Sequence, residues 1–161
     1  MPISGDWTSI AYGDGKYIAI SSGNNKVAIS TDAISWTEHP VPTGNYSLIA
    51  YGNGKFVVAG YGKIIYSVNG INWTEVELAP GDYWGALTYG EGKGFVALAT
   101  DKVAYSADGI TWSVNTLPIT GYWYGLTYGN GRYVAVGWES NNAIYSTDGI
   151  NWTISTLPGN N

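Results

Sequence analysis

Cysteine is absent from all 161 residues, which excludes disulfides, thiolate metal sites and a cysteine nucleophile. Histidine occurs once, as His39, so a histidine-based metal site and a Ser-His-Asp triad lack support and His39 reads as a loop residue. Positive charge is also scarce. Six lysines and Arg132 leave a formal net charge of −5, without the basic footprint needed to hold nucleic acid or an anionic membrane surface. No apolar run approaches the roughly 18 residues of a membrane span, and the first residues form neither a basic nor an apolar leader. The chain therefore reads as a soluble protein or an excised domain. Apolar positions at helical spacing are missing too. What is abundant suits short strands joined by tight turns: 8 Trp, 14 Tyr and 2 Phe beside 23 Gly, with only 12% charged residues.

One pattern occurs four times. Tyr145-Ser146-Thr147-Asp148-Gly149-Ile150-Asn151-Trp152 has counterparts ending at Trp36, Trp73 and Trp112, so the tryptophans stand 37, 39 and 40 residues apart. A period near 40 belongs to propeller blades or solenoid units. The repeats run approximately over 1–42, 43–80, 81–119 and 120–161, within a single domain covering 1–161. Each opens with an aromatic (Trp7, Tyr46, Trp84 or Trp123) on a first strand, A, that ends in Tyr-Gly. A Gly-x-Gly-Lys/Arg turn follows, in which Asn-Gly or Asp-Gly supplies the positive φ angles of a tight hairpin. The third copy carries one extra residue, Gly94. Strand B is then a nearly continuous apolar run (17–20, 56–59, 95–98 and 133–136), the pattern of strands buried on both faces. Strand C ends at the Ser of the repeated motif, and strand D begins at its Trp. Four strands per 40 residues describe an all-β fold, a β-propeller of four four-stranded antiparallel blades. Two closures are open: a four-bladed ring in one chain, or an eight-bladed ring completed by a homodimer.

The repeated motif falls at the turn from C to D. An Asp or Asn there (Asp32, Asn69, Asp108, Asp148) can accept bonds from the turn amides, and the Trp after it (Trp36, Trp73, Trp112, Trp152) can pack against a neighbouring unit. This stretch resembles the Asp-box (BNR-like) repeat of sialidases, of other glycan-handling propellers and of bacterial and phage surface proteins. The usual spacing is Ser-x-Asp-x-Gly-x-x-Trp; here Ser146-Thr147-Asp148-Gly149-Ile150-Asn151-Trp152 is one residue shorter. The resemblance implies a structural motif with no catalytic role. It also implies an extracellular or virion-surface setting, and a test. Sialidases use three arginines for the substrate carboxylate, whereas Arg132 is the single arginine here and fills a turn position otherwise held by lysine.

The A to B and C to D turns are nearly constant among the repeats and share one face of a propeller. The B to C loops and D to A connections, on the opposite face, vary, so a ligand site belongs there. Its residues are aromatic and amide-rich: Tyr61, Tyr83, Tyr122, Tyr124 and Trp138, beside Asn24, Asn25, Asp82, Asn141 and Asn142. Flat rings that cover the C–H face of a sugar, with Asn and Asp bonding its hydroxyls, make a carbohydrate site. Trp7, Tyr46, Trp84 and Trp123 recur in every repeat and read as packing. Tyr122, Tyr124 and Trp138 do not recur, and are the stronger site candidates.

A glycosidase needs two carboxyl groups about 5 to 10 Å apart. Asp32, Asp108 and Asp148 serve the repeated turn, Asp14 and Glu91 the A to B turn, and Glu75 and Glu77 share one strand face, which leaves Asp82, Asp101 and Glu139 on the variable face. The expectation is a protein that is not an enzyme, without metal or cofactor, acting as a lectin-like carbohydrate-binding recognition or attachment module. The alternative is a structural or protein-interaction propeller in a larger bacterial or phage assembly.

Overall fold

The computed structural model describes residues 5–76, 78, 81–138 and 140–158. Glu77 and Glu139 lie outside the described residues. The strands group by fours into separate antiparallel sheets, each a meander in sequence order. The first sheet, blade 1, is β1 (Asp6–Gly13), β2 (Lys16–Ser22), β3 (Lys26–Ser30) and β4 (Thr37–Pro40). Blade 2 is β5 (Tyr46–Gly52), β6 (Lys55–Gly60), β7 (Ile64–Ser67) and β8 (Thr74–Val76). Blade 3 is β9 (Ala86–Gly90), β10 (Gly94–Leu98), β11 (Lys102–Ser106) and β12 (Ser113–Thr116). Blade 4 is β13 (Trp123–Gly129), β14 (Arg132–Gly137), β15 (Asn142–Ser146) and β16 (Thr153–Thr156). These are the four four-stranded antiparallel blades of an all-β propeller fold; no helix occurs among the described residues.

The A to B turns explain the register. Gly13 pairs with Lys16, and between them Asp14 and Gly15 have φ of 47° and 73°. Asn53-Gly54 and Asn130-Gly131 repeat this, the two-residue turn whose twist matches that of the strands it joins. In blade 3 the turn is one residue longer, and Gly94, at φ 118°, starts strand B opposite Gly90.

Three expectations are corrected. Strand D starts one residue after the tryptophan, because Trp36, Trp73, Trp112 and Trp152 still belong to the turn. In blade 3, strand A starts at Ala86, leaving the fully buried Trp84 ahead of it. Burial on both faces holds for β6 and β10 but not for β14, where Tyr133 and Ala135 are buried while Val134 and Val136 are exposed. In blade 4 one side of the sheet meets a neighbouring blade, and Val134 and Val136 point to the other side.

The chain divides into two compact units, one ending at Asp82 and one beginning at Tyr83. In the first, Ile18, Ile20 and Val27 of blade 1 pack with Tyr46, Ile49, Phe56, Val58 and Ile65 of blade 2. In the second, Val96, Leu98 and Val103 of blade 3 pack with Trp123, Tyr133, Ala135 and Ile144 of blade 4. The same registers fill both cores, as a repeat requires. Trp73 and Trp152 join these clusters from the turns.

Candidate functional site

The four C to D turns are built alike. Asp32 Oδ1 accepts the amides of Ile34 and Ser35 at 2.9 and 2.8 Å, and Asn69 Oδ1 accepts those of Ile71 and Asn72, both at 2.9 Å. Asp108 and Asp148 do the same at 2.8 Å for every bond. The preceding serine donates its hydroxyl to that same oxygen at 2.9 to 3.1 Å. In three turns it also accepts the glycine amide at 2.8 Å.

These donors stabilise the charged carboxylates. The amides of Ser35 and Ile34, with the Ser30 hydroxyl, lower the Asp32 carboxyl to about 2. Asp108 is lowered by the amides of Thr111 and Ile110. At Asp148 burial pushes upward, but the Asn151 amide and side chain, the Ile150 amide and the Ser146 hydroxyl outweigh it and the carboxyl is lowered. In two of the turns the ring adds a bond, Trp73 Nε1 and Trp152 Nε1 donating to the Gly70 and Gly149 carbonyls at 2.9 and 3.2 Å. In every turn the Oδ1 of the Asp or Asn is held by two turn amides and the serine hydroxyl, which makes the motif a structural device.

The opposite end of the second unit is different. A shallow cleft, open to solvent, lies between blades 3 and 4. It brings together Tyr83, Tyr122 and Tyr124, with Trp123 in its lining and Thr100 beside them. The three tyrosines are half or more exposed, whereas Trp123 is buried. Tyr124 reaches the surface because β13 is bulged: Trp123 pairs with Gly137 and Gly125 with Val136, so Tyr124 has no partner across the sheet. An extra residue of this kind re-aims the side chain. The Gly121 amide donates to the Thr100 carbonyl at 2.8 Å and fixes the chain entering Tyr122. The Trp138 amide donates to the Tyr122 carbonyl at 2.9 Å, so the exposed Trp138 adjoins the cleft residue Tyr122.

The other candidates are placed elsewhere. Tyr61 occupies in the first unit the place Trp138 has in the second, its amide donating to the Asn45 carbonyl at 2.9 Å, and it is exposed. Asn25 sits at φ 53° and its Oδ1 accepts the Gly44 amide at 2.9 Å, so this side chain builds the connection between blades 1 and 2. Asn24 is half-buried with its Oδ1 turned inward. Asp82 contributes its carbonyl to the Gly62 amide at 2.6 Å. Asn141 is exposed and its carbonyl accepts the Leu157 amide at 2.7 Å, while Asn142 is the first residue of β15 and not a loop residue. Within the second unit, Tyr83, Tyr122 and Tyr124 are brought together in the cleft and Trp138 adjoins it. Among the acidic residues, Glu75 pairs with Lys63 at 2.9 Å and Asp101 gives its carbonyl to the Leu117 amide at 2.8 Å. Among the described residues, no cluster of three His, Cys, Asp or Glu side chains could hold a metal.

No protein-family model matches the chain, and no curated protein matches it. Solved structures do. The chain is similar to a streptogramin B lyase at 19% identity and a TM-score of 0.83, over 98% of this chain and 57% of the lyase. It is similar to a catalytically inactive virginiamycin B lyase from Staphylococcus aureus, solved with quinupristin, at 16% identity and a TM-score of 0.83, over 98% and 57%. It is also similar to YCF48 bound to a peptide, at 16% identity and a TM-score of 0.67, over 93% of this chain and 52% of that one. The chain spans a little over half the length of these structures. Their likeness establishes the β-propeller fold. It also corrects the expectation of a protein that is not an enzyme: lyases use this fold over nearly the whole chain, so the absence of familiar catalytic motifs gives no ground for ruling catalysis out.

Proposed function

We propose that this chain is a recognition propeller whose cleft between blades 3 and 4 takes one sugar ring of a glycan. The observation that carries the reading is the convergence of Tyr83, Tyr122 and Tyr124, all exposed, around a cleft lined by the buried Trp123. Exposed rings offer an apolar face to sugar C–H groups and a hydroxyl at the tip to bond sugar oxygens. The cleft is shallow and open to solvent, which suits the face of a single ring laid across it. Affinity per site is then weak, and several copies displayed together supply the strength. Trp138, next to Tyr122, extends the aromatic surface towards a second sugar. We read the four turns as a shortened Asp-box, on the strength of the Ser hydroxyl and the two turn amides that bond the Asp or Asn Oδ1 in all of them.

A glycan array at multivalent display tests the proposal. Binding that Tyr122→Ala abolishes, with unchanged thermal stability, supports it; no binding to any glycan sinks it. A second reading, a protein segment in the same cleft, is favoured by the similarity to YCF48 bound to a peptide. Binding of a peptide library in place of glycans, with the same loss in Tyr122→Ala, selects it.

A further inference from the structure

Within each unit the blades meet front to back by the same means. In the first, the front of blade 1 (Ile18, Ile20) is covered by the back of blade 2 (Ile49, Phe56, Val58). In the second, the front of blade 3 (Val96, Leu98) is covered by the back of blade 4 (Tyr133, Ala135). A ring over a glycine marks each seam. A Cβ on Gly13 would fall inside the Tyr51 ring, and one on Gly90 would lie 2.7 Å from Tyr128 and 2.5 Å from the Tyr133 hydroxyl.

The back of blade 1 and the front of blade 4 stay exposed. On the back of blade 1, Ile10 is 57% and Tyr12 59% exposed, although Ile49, the counterpart of Ile10, is 7% exposed. On the front of blade 4, Val134 is 38% and Val136 40% exposed, although their counterparts Ile18, Ile20, Val96 and Leu98 are all at 0%. Arg132 lies over Tyr145 on this front, 5.5 Å from the ring centroid. The glycine socket is there as well: Gly129, the counterpart of Gly13 and Gly90, has nothing within 4 Å of its would-be Cβ. The ring that fits it is already posed. Tyr12 leans on Tyr17 with centroids 4.6 Å apart, as Tyr51 leans on Phe56 at 4.6 Å and Tyr128 on Tyr133 at 4.8 Å.

We propose that the back of blade 1 receives the front of blade 4 of a second copy, Tyr12 over Gly129, and that two chains pair about a two-fold axis through two identical seams into eight blades. The repeat itself identifies the occupant, because each uncovered face has a covered counterpart whose partner is a blade of this same sequence. The chain also supplies only 57% of the length of a lyase with this fold, which leaves room for further blades. The seam is heterologous between blades yet closes because it is used twice. The inference is independent of what the cleft binds.

Light scattering after size exclusion is expected to give twice 17.2 kDa, about 34 kDa. A species of 17.2 kDa at every concentration, or an open-ended series of polymers, overturns the proposal. Ile10→Glu changes an exposed side chain and should return the mass to 17.2 kDa with the circular dichroism spectrum unchanged; a persistent dimer would place the seam elsewhere and overturn it. The chain has no cysteine, so an engineered pair reports cleanly. The double variant Tyr12→Cys with Gly129→Cys should run as a covalent dimer on a non-reducing gel. A bond closed within one chain, or none at all, rejects the pairing.

Discussion

Tyr133 donates its hydroxyl to the carbonyl of Gly94 at 2.7 Å, a buried bond from strand B of blade 4 to the start of strand B in blade 3. It accounts for the extra residue in the third A to B turn. Gly94 adds a buried carbonyl that Tyr133 reaches, whereas the counterpart of Tyr133 in blade 2 is Phe56, which has no hydroxyl, and the turn of blade 1 facing it has no extra residue. Burial also raises the Tyr133 hydroxyl pKa, so the proton stays on to be donated. Tyr133→Phe should therefore cost about 1 to 3 kcal/mol, because it leaves a buried carbonyl without its donor. Urea denaturation checks this as a lower midpoint at unchanged slope.

Acid should weaken the turns before anything else. A carboxyl whose folded value is lowered contributes stability that is complete above its unfolded value, about 3.9, and is lost as the pH falls through the folded value. For Asp32 that window runs from near pH 4 down to about 2, and Asp108 and Asp148 are lowered in the same direction. The triple variant Asp32→Asn, Asp108→Asn, Asp148→Asn should flatten the fall in stability between pH 4 and 2. Asn69 already holds the same two amides with a neutral side chain, so the turns should still form. Denaturant midpoints measured across that range, with an unflattened slope in the variant, would reject this role.

The turns were legible in the sequence because their bonding is local: Ser, Asp, the two amides and Trp lie within seven residues of one another. The strand order was legible for the same reason, through Asp-Gly and Asn-Gly hairpins. The exposure of Tyr124 was not, since a bulge depends on how β14 pairs with β13. Nor was the split fate of strand B. Tyr133-Val134-Ala135-Val136 reads like Phe95-Val96-Ala97-Leu98, and only the neighbour of each sheet decides that Val96 is buried and Val134 exposed. The bond of Asn25 was not legible either, because its Oδ1 accepts the Gly44 amide from 19 residues away.

Ala33 is the misfit among the turns. It has φ 60°, in the place where Gly70, Gly109 and Gly149 have φ between 76° and 79°. An L-residue in this region costs about 1 to 2 kcal/mol, and glycine recovers most of that against about 0.5 to 1 kcal/mol of added backbone freedom. Ala33→Gly should therefore stabilise the chain by about 0.5 to 1 kcal/mol, seen as a melting point higher by a few degrees. A lower melting point would mean that the Ala33 methyl makes a contact worth more than the strain.

Trp123 and Tyr124 are neighbours with opposite duties, and substitution should separate them. Trp123 is 3% exposed, belongs to the core shared by blades 3 and 4 and lines the cleft. Trp123→Ala should cost about 3 to 5 kcal/mol, because it removes a large buried ring and leaves a cavity. Tyr124 is 62% exposed on the bulge, and Tyr124→Ala should change stability by no more than about 0.5 kcal/mol. If the cleft binds a ring, Tyr124→Ala should weaken binding at least tenfold while the melting curve stays in place. A large loss of stability in Tyr124→Ala would return this side chain to the core and remove it from the site, and an unchanged affinity would move the ligand off the bulge.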